Sequence, residues 1–385
     1  MRATHQRQKE AFRTFIIMMT LLVYTSVTTT AQTEQKTFKD TTDGAFDISH
    51  FLLDLHGFLP VVSPITEPAV GYGAIVAGLY FIPKKDTTVK HFIMPDIVLA
   101  AGGVTSNKTW FAAAGYMGFW KQDRIRYRGI LGYADVKLKY YGAGDGELDE
   151  HPVKFNLRST FFLQQAIFRI SDSKFLLGGR YHFSSTTITL FDDTDIPGLD
   201  PLDFDLKTSG VGVIAEYAGL NNIMSPTKGL RTNLTYVQNL ELIGSDKNFG
   251  ELSIFLHYYL PLSEKWISGF RIETQFAVGE PPFYALPYIN LRGVPIMRYQ
   301  GDITALIETE QFFMITDRWG IVGFGGVGQA YTTGKDEKTN STAWNAGAGF
   351  RYLIARELGL RMGIDIARGP EEWAFYVVVG SAWKK

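Results

Sequence analysis

Few residues in this chain are arranged for bond-making chemistry. Nucleophilic catalysis needs a nucleophile beside a base that a third group orients. There is no Gly-x-Ser-x-Gly element, and the seven histidines are scattered. His182 and His257 can face inward, yet neither has an evident serine or acid partner. Gly71-x-Gly73 reads as a strand feature, since no helix follows to meet a phosphate. Metal-ligand spacing is missing, and the lack of cysteine excludes thiolate sites and a disulfide scaffold. The expectation is a non-enzymatic protein with no cofactor and no metal. A formal net charge of −1 also argues against nucleic acid, which requires a basic field.

The remaining charges suggest the chemistry of a wall. Arg124, Arg126, Arg128, Lys154 and Arg158 either form a basic surface that selects anions or simply solvate a lumen. Arg361 and Asp365 each lie two positions from Gly363, on one strand face, and read as a structural ion pair.

These roles require strands, and the sequence is patterned for them. In Lys265 to Gly279, Trp266, Phe270, Ile272, Phe276 and Val278 share one parity, while Lys265, Arg271, Glu273 and Gln275 share the other. Such alternation gives a strand one apolar and one charged face. The same split recurs. Leu230, Leu234 and Tyr236 oppose Arg231 and Asn233; Leu252, Ile254 and Leu256 oppose Glu251, Ser253 and His257; Phe155, Leu157, Phe161 and Leu163 oppose Lys154, Asn156 and Arg158; Ile364 and Ile366 oppose Asp365. Tight polar breaks (Asp172-Ser173, Ser263-Glu264, Asp317-Arg318) alternate with longer ones (142–152, 191–205, 334–341), as in up-and-down hairpins.

The first residues read as a secretory signal. Arg2, Arg7, Lys9 and Arg13 precede an apolar run from Phe15 to Val23, and Thr29-Thr30-Ala31 offers a cleavage site. That run is shorter than the roughly 20 residues a spanning helix needs, and nothing after Ala31 is long enough either. Only helices and closed barrels satisfy every backbone group in lipid. With 28 Phe, 19 Tyr and 39 Gly, the chain reads as an all-β transmembrane antiparallel barrel. Fifteen strands can be traced; since bacterial single-chain barrels are even-numbered, sixteen are expected, the missing one between Phe58 and Tyr72. The organisation expected is a signal over 1–31, a lead-in over 32–65, and a barrel over 66–385. Within the lead-in, Ile48, Phe51, Leu52 and Leu55 share a helical face with Ser49 as cap. That segment plugs the lumen, lies at the periplasmic interface, or is an irregular lead-in.

The run Glu280-Pro281-Pro282-Phe283-Tyr284, then Asn290-Leu291-Arg292-Gly293-Val294, resembles the long sixth extracellular loop of the BamA/TamA superfamily, the bacterial surface antigen family. The resemblance implies that loop 280–302 folds into the lumen, where an Arg-Gly-aromatic element is held by acids of the inner wall. Arg292 and Gly293 match it; Val294 replaces the aromatic. Ser225-Pro226-Thr227-Lys228-Gly229-Leu230-Arg231 is similar to the family's Pro-Thr-x-Gly-x-Arg strand opening, and Arg298-Tyr299-x-Gly301-Asp302 leads to Glu310, where an inward glutamate is usual. Two features depart. The family's Phe-x-Asp-x-Gly becomes Phe324-Gly325-Gly326-Val327-Gly328, so the usual partner of the arginine is missing at 326. Glu310 is the first candidate to replace it, then Asp365, with Glu308 also available. The short lead-in also leaves no room for the family's periplasmic POTRA domains, as in a barrel-only branch.

The resemblance implies a protein of the Gram-negative outer membrane that aids outer-membrane protein biogenesis or polypeptide translocation through a lateral seam. The alternative is a passive or plugged pore, or a structural adapter. The partners expected are outer-membrane lipid and, under the first reading, nascent outer-membrane proteins or other assembly components.

Overall fold

The computed structural model describes residues 38–53, 57–84, 95–141, 152–190, 202–333 and 339–383. The signal read over 1–31 and most of the three longer breaks lie outside these residues. One short helix, α1 (Ser49–Leu53), precedes sixteen strands. They are β1 (Gly57–Glu67), β2 (Gly71–Ile82), β3 (Asp96–Thr105), β4 (Trp110–Trp120), β5 (Ile125–Tyr140), β6 (Val153–Arg169), β7 (Phe175–Leu190) and β8 (Leu202–Ala218). The second half comprises β9 (Gly229–Asn239), β10 (Phe249–Pro261), β11 (Trp266–Gly279), β12 (Ile303–Met314), β13 (Trp319–Thr332), β14 (Thr339–Ala355), β15 (Leu360–Arg368) and β16 (Trp373–Val379). Every strand pairs antiparallel with its chain neighbours in one 16-stranded sheet. The sheet curls into a nearly closed barrel with one unsealed seam, between β1 and β16.

The outer face is a lipid face. On β11, Trp266, Phe270, Ile272 and Val278 are exposed, whereas Arg271 and Glu273 between them are buried. Exposed Trp110, Trp120, Trp266, Trp319 and Trp373 sit at strand ends, where aromatic rings suit a bilayer interface. No described helix is long and apolar enough to cross a membrane.

The sixteenth strand is β1, so the barrel starts at Gly57 rather than at 66. Pro60 and Pro64 disguise it, because proline supplies no ladder donor. Hydrogen-bond phase explains why they are tolerated. Ser106 N–H donates to Tyr72 O, so even-numbered residues of β2 bond β3 and odd-numbered ones bond β1. Given the Val61↔Ala77 register, odd residues of β1 face β2 and even residues face the seam. Both prolines therefore lie on the free edge, where no neighbour asks for their N–H. The opposite lip carries no proline: Gly380 N–H bonds Arg361 O, which places Trp373, Phe375 and Val377 with N–H and C=O toward the seam. The Thr66 hydroxyl donates across the gap to Phe375 O.

Strand β6 reverses the expected polarity. Phe155 is buried and packs with Ile188 and Met297 of the folded-in loop, so Lys154 and Arg158 take the opposite face. Strands β5 to β8 run 16 or 17 residues, well beyond the roughly 9–11 that cross a bilayer. Their ends rise past the lipid, and there the inner face meets an apolar loop. The supposed basic wall accordingly divides. Arg126 meets Asp123 and Glu216, Arg124 pairs with Asp172 at a turn, and Arg158 lies near Asp203.

Candidate functional site

The site is built where the 280–302 segment drops between β10–β16. A single 3-10 turn (Phe283–Ala285) starts the descent. Phe283 packs edge-on to Phe155, and Ile289, Leu291 and Val294 bury against Leu306, Ala330 and Ala343. Val294 is buried in one cluster with the small Ala330 and Ala343. Gly293 has φ +82, and a Cβ there would come within 2.9 Å of Gly369 N. Only glycine accepts both the left-handed backbone and that approach.

Arg292 then points into a cluster of carboxylates. Its Nε and Nη2 donate to Glu308 Oε1 at 3.2 and 3.0 Å, and Nη1 donates to Glu310 Oε2 at 2.9 Å and Asp365 Oδ2 at 2.7 Å. The guanidinium lies 3.4 Å from the centroid of the Phe324 ring. All three sequence-selected acids meet the arginine, but Glu308 rather than Glu310 is central. Glu308 has no solvent exposure and also accepts from Arg271, Asn345 and Trp383. The glycine at 326 accounts for this. Register pairs Gly326 with Glu308 on one side and Asn345 on the other, and a Cβ there would lie 3.0 Å from both side chains. The missing aspartate is the space in which Glu308 and Asn345 meet.

Three further cationic or polar groups complete the set, and sequence reasoning missed them. Arg271 bridges Glu273 and Glu308 and donates to Asn290 O. Arg351 grips Asp365 with two nitrogens. Trp383, beyond β16, turns inward after Gly380 (φ +78) and donates its indole N–H to Glu308 Oε2 at 2.6 Å. Arg271 was legible as inward by alternation; Trp383 follows the last strand and carries no periodic signal. The Arg361–Asp365 pair is not formed. Four residues along a strand span about 13 Å, whereas Arg351 is opposite Gly363 and reaches Asp365 diagonally. Arg361 stacks over Phe312 instead.

The loop also touches both lips of the seam. Gly293 N–H donates to Tyr376 Oη on β16 at 2.8 Å, and Ile296 N–H donates to Glu67 Oε1 on β1 at 3.2 Å. Arg298 ion-pairs with Glu371 in the β15–β16 turn. A cavity of about 300 Å³ lies beside these contacts, lined by Glu67, Arg271, Glu273, Arg292, Tyr376 and Trp383 among others. His257 stacks between Phe255 and Trp383, and His182 bonds Asn239. The arrangement is a buried ionic lock that joins loop, C-terminal tail and seam.

The fold and this lock define a transmembrane 16-stranded barrel closed by a loop instead of by a full ladder. No family profile and no curated protein matches the sequence. Solved structures do. BamA from Haemophilus ducreyi lacking POTRA domains 1–3 aligns over 85% of this chain and 70% of its own, at 12% identity and TM-score 0.56. CdiB from Escherichia coli aligns over 84% of this chain and 62% of its own (12% identity, TM-score 0.56), and CdiB from Acinetobacter baumannii over 84% and 59% (13%, 0.54). This chain thus spans less than two thirds of the two CdiB chains. At such identities the likeness shows a shared barrel fold.

Proposed function

We propose that this protein is a Gram-negative outer-membrane barrel, of the BamA/CdiB type, that handles polypeptide strands at its lateral seam during outer-membrane protein biogenesis or translocation. One observation carries the reading: the first and last strands are joined by a loop bonded to both, Gly293 to Tyr376 and Ile296 to Glu67, and not by a ladder. An unpaired strand edge is a template for another strand. Here the usable edge is that of β16, where Trp373, Phe375 and Val377 turn their backbone groups toward the seam and the Thr66 hydroxyl takes only Phe375 O. In this reading the ends with short turns face the periplasm, and the Arg292 lock sets how far the loop releases the lips.

The chain has no cysteine, so a disulfide can be placed cleanly. Thr66→Cys with Phe375→Cys should lock the seam, and oxidised cells relying on this variant should lose other outer-membrane barrels and surface lipoproteins, with recovery on reduction. Normal levels under oxidation, or after depletion of the protein, would show the reading to be wrong.

A static, plugged barrel is the second reading, and Pro60 and Pro64 favour it because they deny the β1 edge two donors. Its mark would be conductance steps in a planar bilayer that rise when residues 283–300 are deleted, with assembly of other barrels unaffected.

A further inference from the structure

Residues 38–53 bond to the barrel across the seam from β1. Their hairpin, closed by the Lys39↔Phe46 bridge, and α1 dock on the far side of the seam, at the short-turn ends of β12 to β15. Arg318, in the β12–β13 turn, receives Asp40, Asp43 and Asp47 together; its Nε lies 2.7 Å from Asp43 Oδ2 and its Nη1 2.5 Å from Asp47 Oδ2. Nη1 also donates to Leu353 O at the end of β14. Arg356 repeats the grip on Asp40 and Asp43, and its N–H donates to Asp47 Oδ2. Neutral bonds add to it: Ile48 N–H to Ile354 O, Tyr352 Oη to Phe46 O, and Glu357 N–H to Ser49 Oγ. Asp47 is the residue that caps α1, through Ser49 N–H; the serine itself binds the barrel.

We propose that residues 38–53 form an N-terminal clasp that ties the start of β1 to β14 across the seam, so that parting β1 from β16 at this end by more than about one strand spacing requires the Arg318/Arg356–aspartate cluster to come apart. The topology bounds the gap. In sheet order β14, β15 and β16 precede the seam and β1 follows it, a width of about 14 Å at three strand spacings. The last residue bonded to the end of β14 is Ser49; from there α1 rises about 6 Å to Leu53, and the four Cα steps on to Gly57 reach at most about 14 Å, about 20 Å in all. The tether therefore allows about one further strand spacing and no more. The cluster is also built to hold: the Arg318 side chain is 6% exposed and those of Asp40 and Asp47 are 9% and 5%. Three carboxylates meet two arginines there, so neither arginine is spare. The clasp acts on the seam whether or not a polypeptide passes through it.

Nitroxide labels on Phe58→Cys and Val379→Cys, read by pulsed dipolar spectroscopy on the full chain in liposomes, measure the gap at this end. The parent protein should give one narrow distance. Arg318→Ala with Arg356→Ala should add a population longer by more than one strand spacing, about 5 Å, and the exchanged pair Arg318→Asp with Asp43→Arg should restore part of the narrow peak. If the double variant fails to fold, judged by heat-modifiable mobility, Asp40→Asn with Asp43→Asn and Asp47→Asn leaves the barrel strands untouched and is read in its place. An unchanged distance in a folded clasp variant overturns the proposal.

Discussion

Arg292 brings one charge into contact with three carboxylates, and the wall supplies Arg271 and Arg351 to balance them. Removing one member of a buried ionic set costs about 3–5 kcal/mol, because it leaves charge uncompensated. Arg292→Ala should therefore free the loop and raise its cleavage by protease added to intact cells; unaltered cleavage would mean that something else holds the loop. Lysine cannot offer the forked donors that reach Glu308, Glu310 and Asp365 at once, so Arg292→Lys should fall between. Gly326→Asp, which restores the acid at the family position, should weaken the lock, since its Cβ would press on Glu308 and Asn345. A lower unfolding temperature for G326D checks this, and a higher one contradicts it. At the clasp, hydrogen bonds from Arg318 hold the Asp43 carboxyl well below its usual value. Burial would raise Asp47, but bonds from Ser49 and Arg318 outweigh it and bring it down to about 2, from 3.8. Carboxylates depressed in the folded state stabilise it above their unfolded value, and that stabilisation is lost as pH falls from about 4 toward 2. The Phe58–Val379 distance should accordingly stay constant from pH 7 to pH 5 and lengthen only below about 4; lengthening by pH 5 would contradict this account of the clasp.

Among the elements, the two lips of the seam are chemically unequal. β1 has lost two edge donors to Pro60 and Pro64, while the shorter β16 contains no proline. Pro60→Val with Pro64→Val should return those donors, extend pairing across the gap, and slow amide exchange in Phe375 and Val377. Exchange as fast as in the parent would show that the prolines do not limit closure. These same residues explain what could be read from sequence. β11 alternates cleanly because lipid lies on one side and a wet, ionic lumen on the other. β1 was hidden because its breakers occupy an edge that has no partner. Alternation alone turns β6 inside out, since above the bilayer its inner face meets Phe283 and Met297, and alternation reports which face is apolar without saying what lies against it. The acids around Arg292 could be chosen from their inward parity, but not ranked; ranking depended on the space left at Gly326 and on Trp383 arriving from beyond the last strand.

Over the whole molecule, three devices meet at one line. The loop bonds both lips at its end of the barrel, the N-terminal clasp spans the other end, and the C-terminal tail is drawn inward to Glu308. A barrel that only needed to be shut would complete a ladder from β1 to β16. This one closes the gap with side-chain bonds that can be exchanged, and leaves the β16 edge facing lipid. The most direct measurement is site-specific photo-crosslinking in cells that are making outer-membrane proteins, with the probe at Val377 on β16, Val62 on β1, or Val98 on the lipid face of β3. The account predicts polypeptide adducts concentrated at Val377, few at Val62 and none above background at Val98. Lipid adducts alone at all three positions, or polypeptide adducts equal at Val377 and Val98, would contradict it.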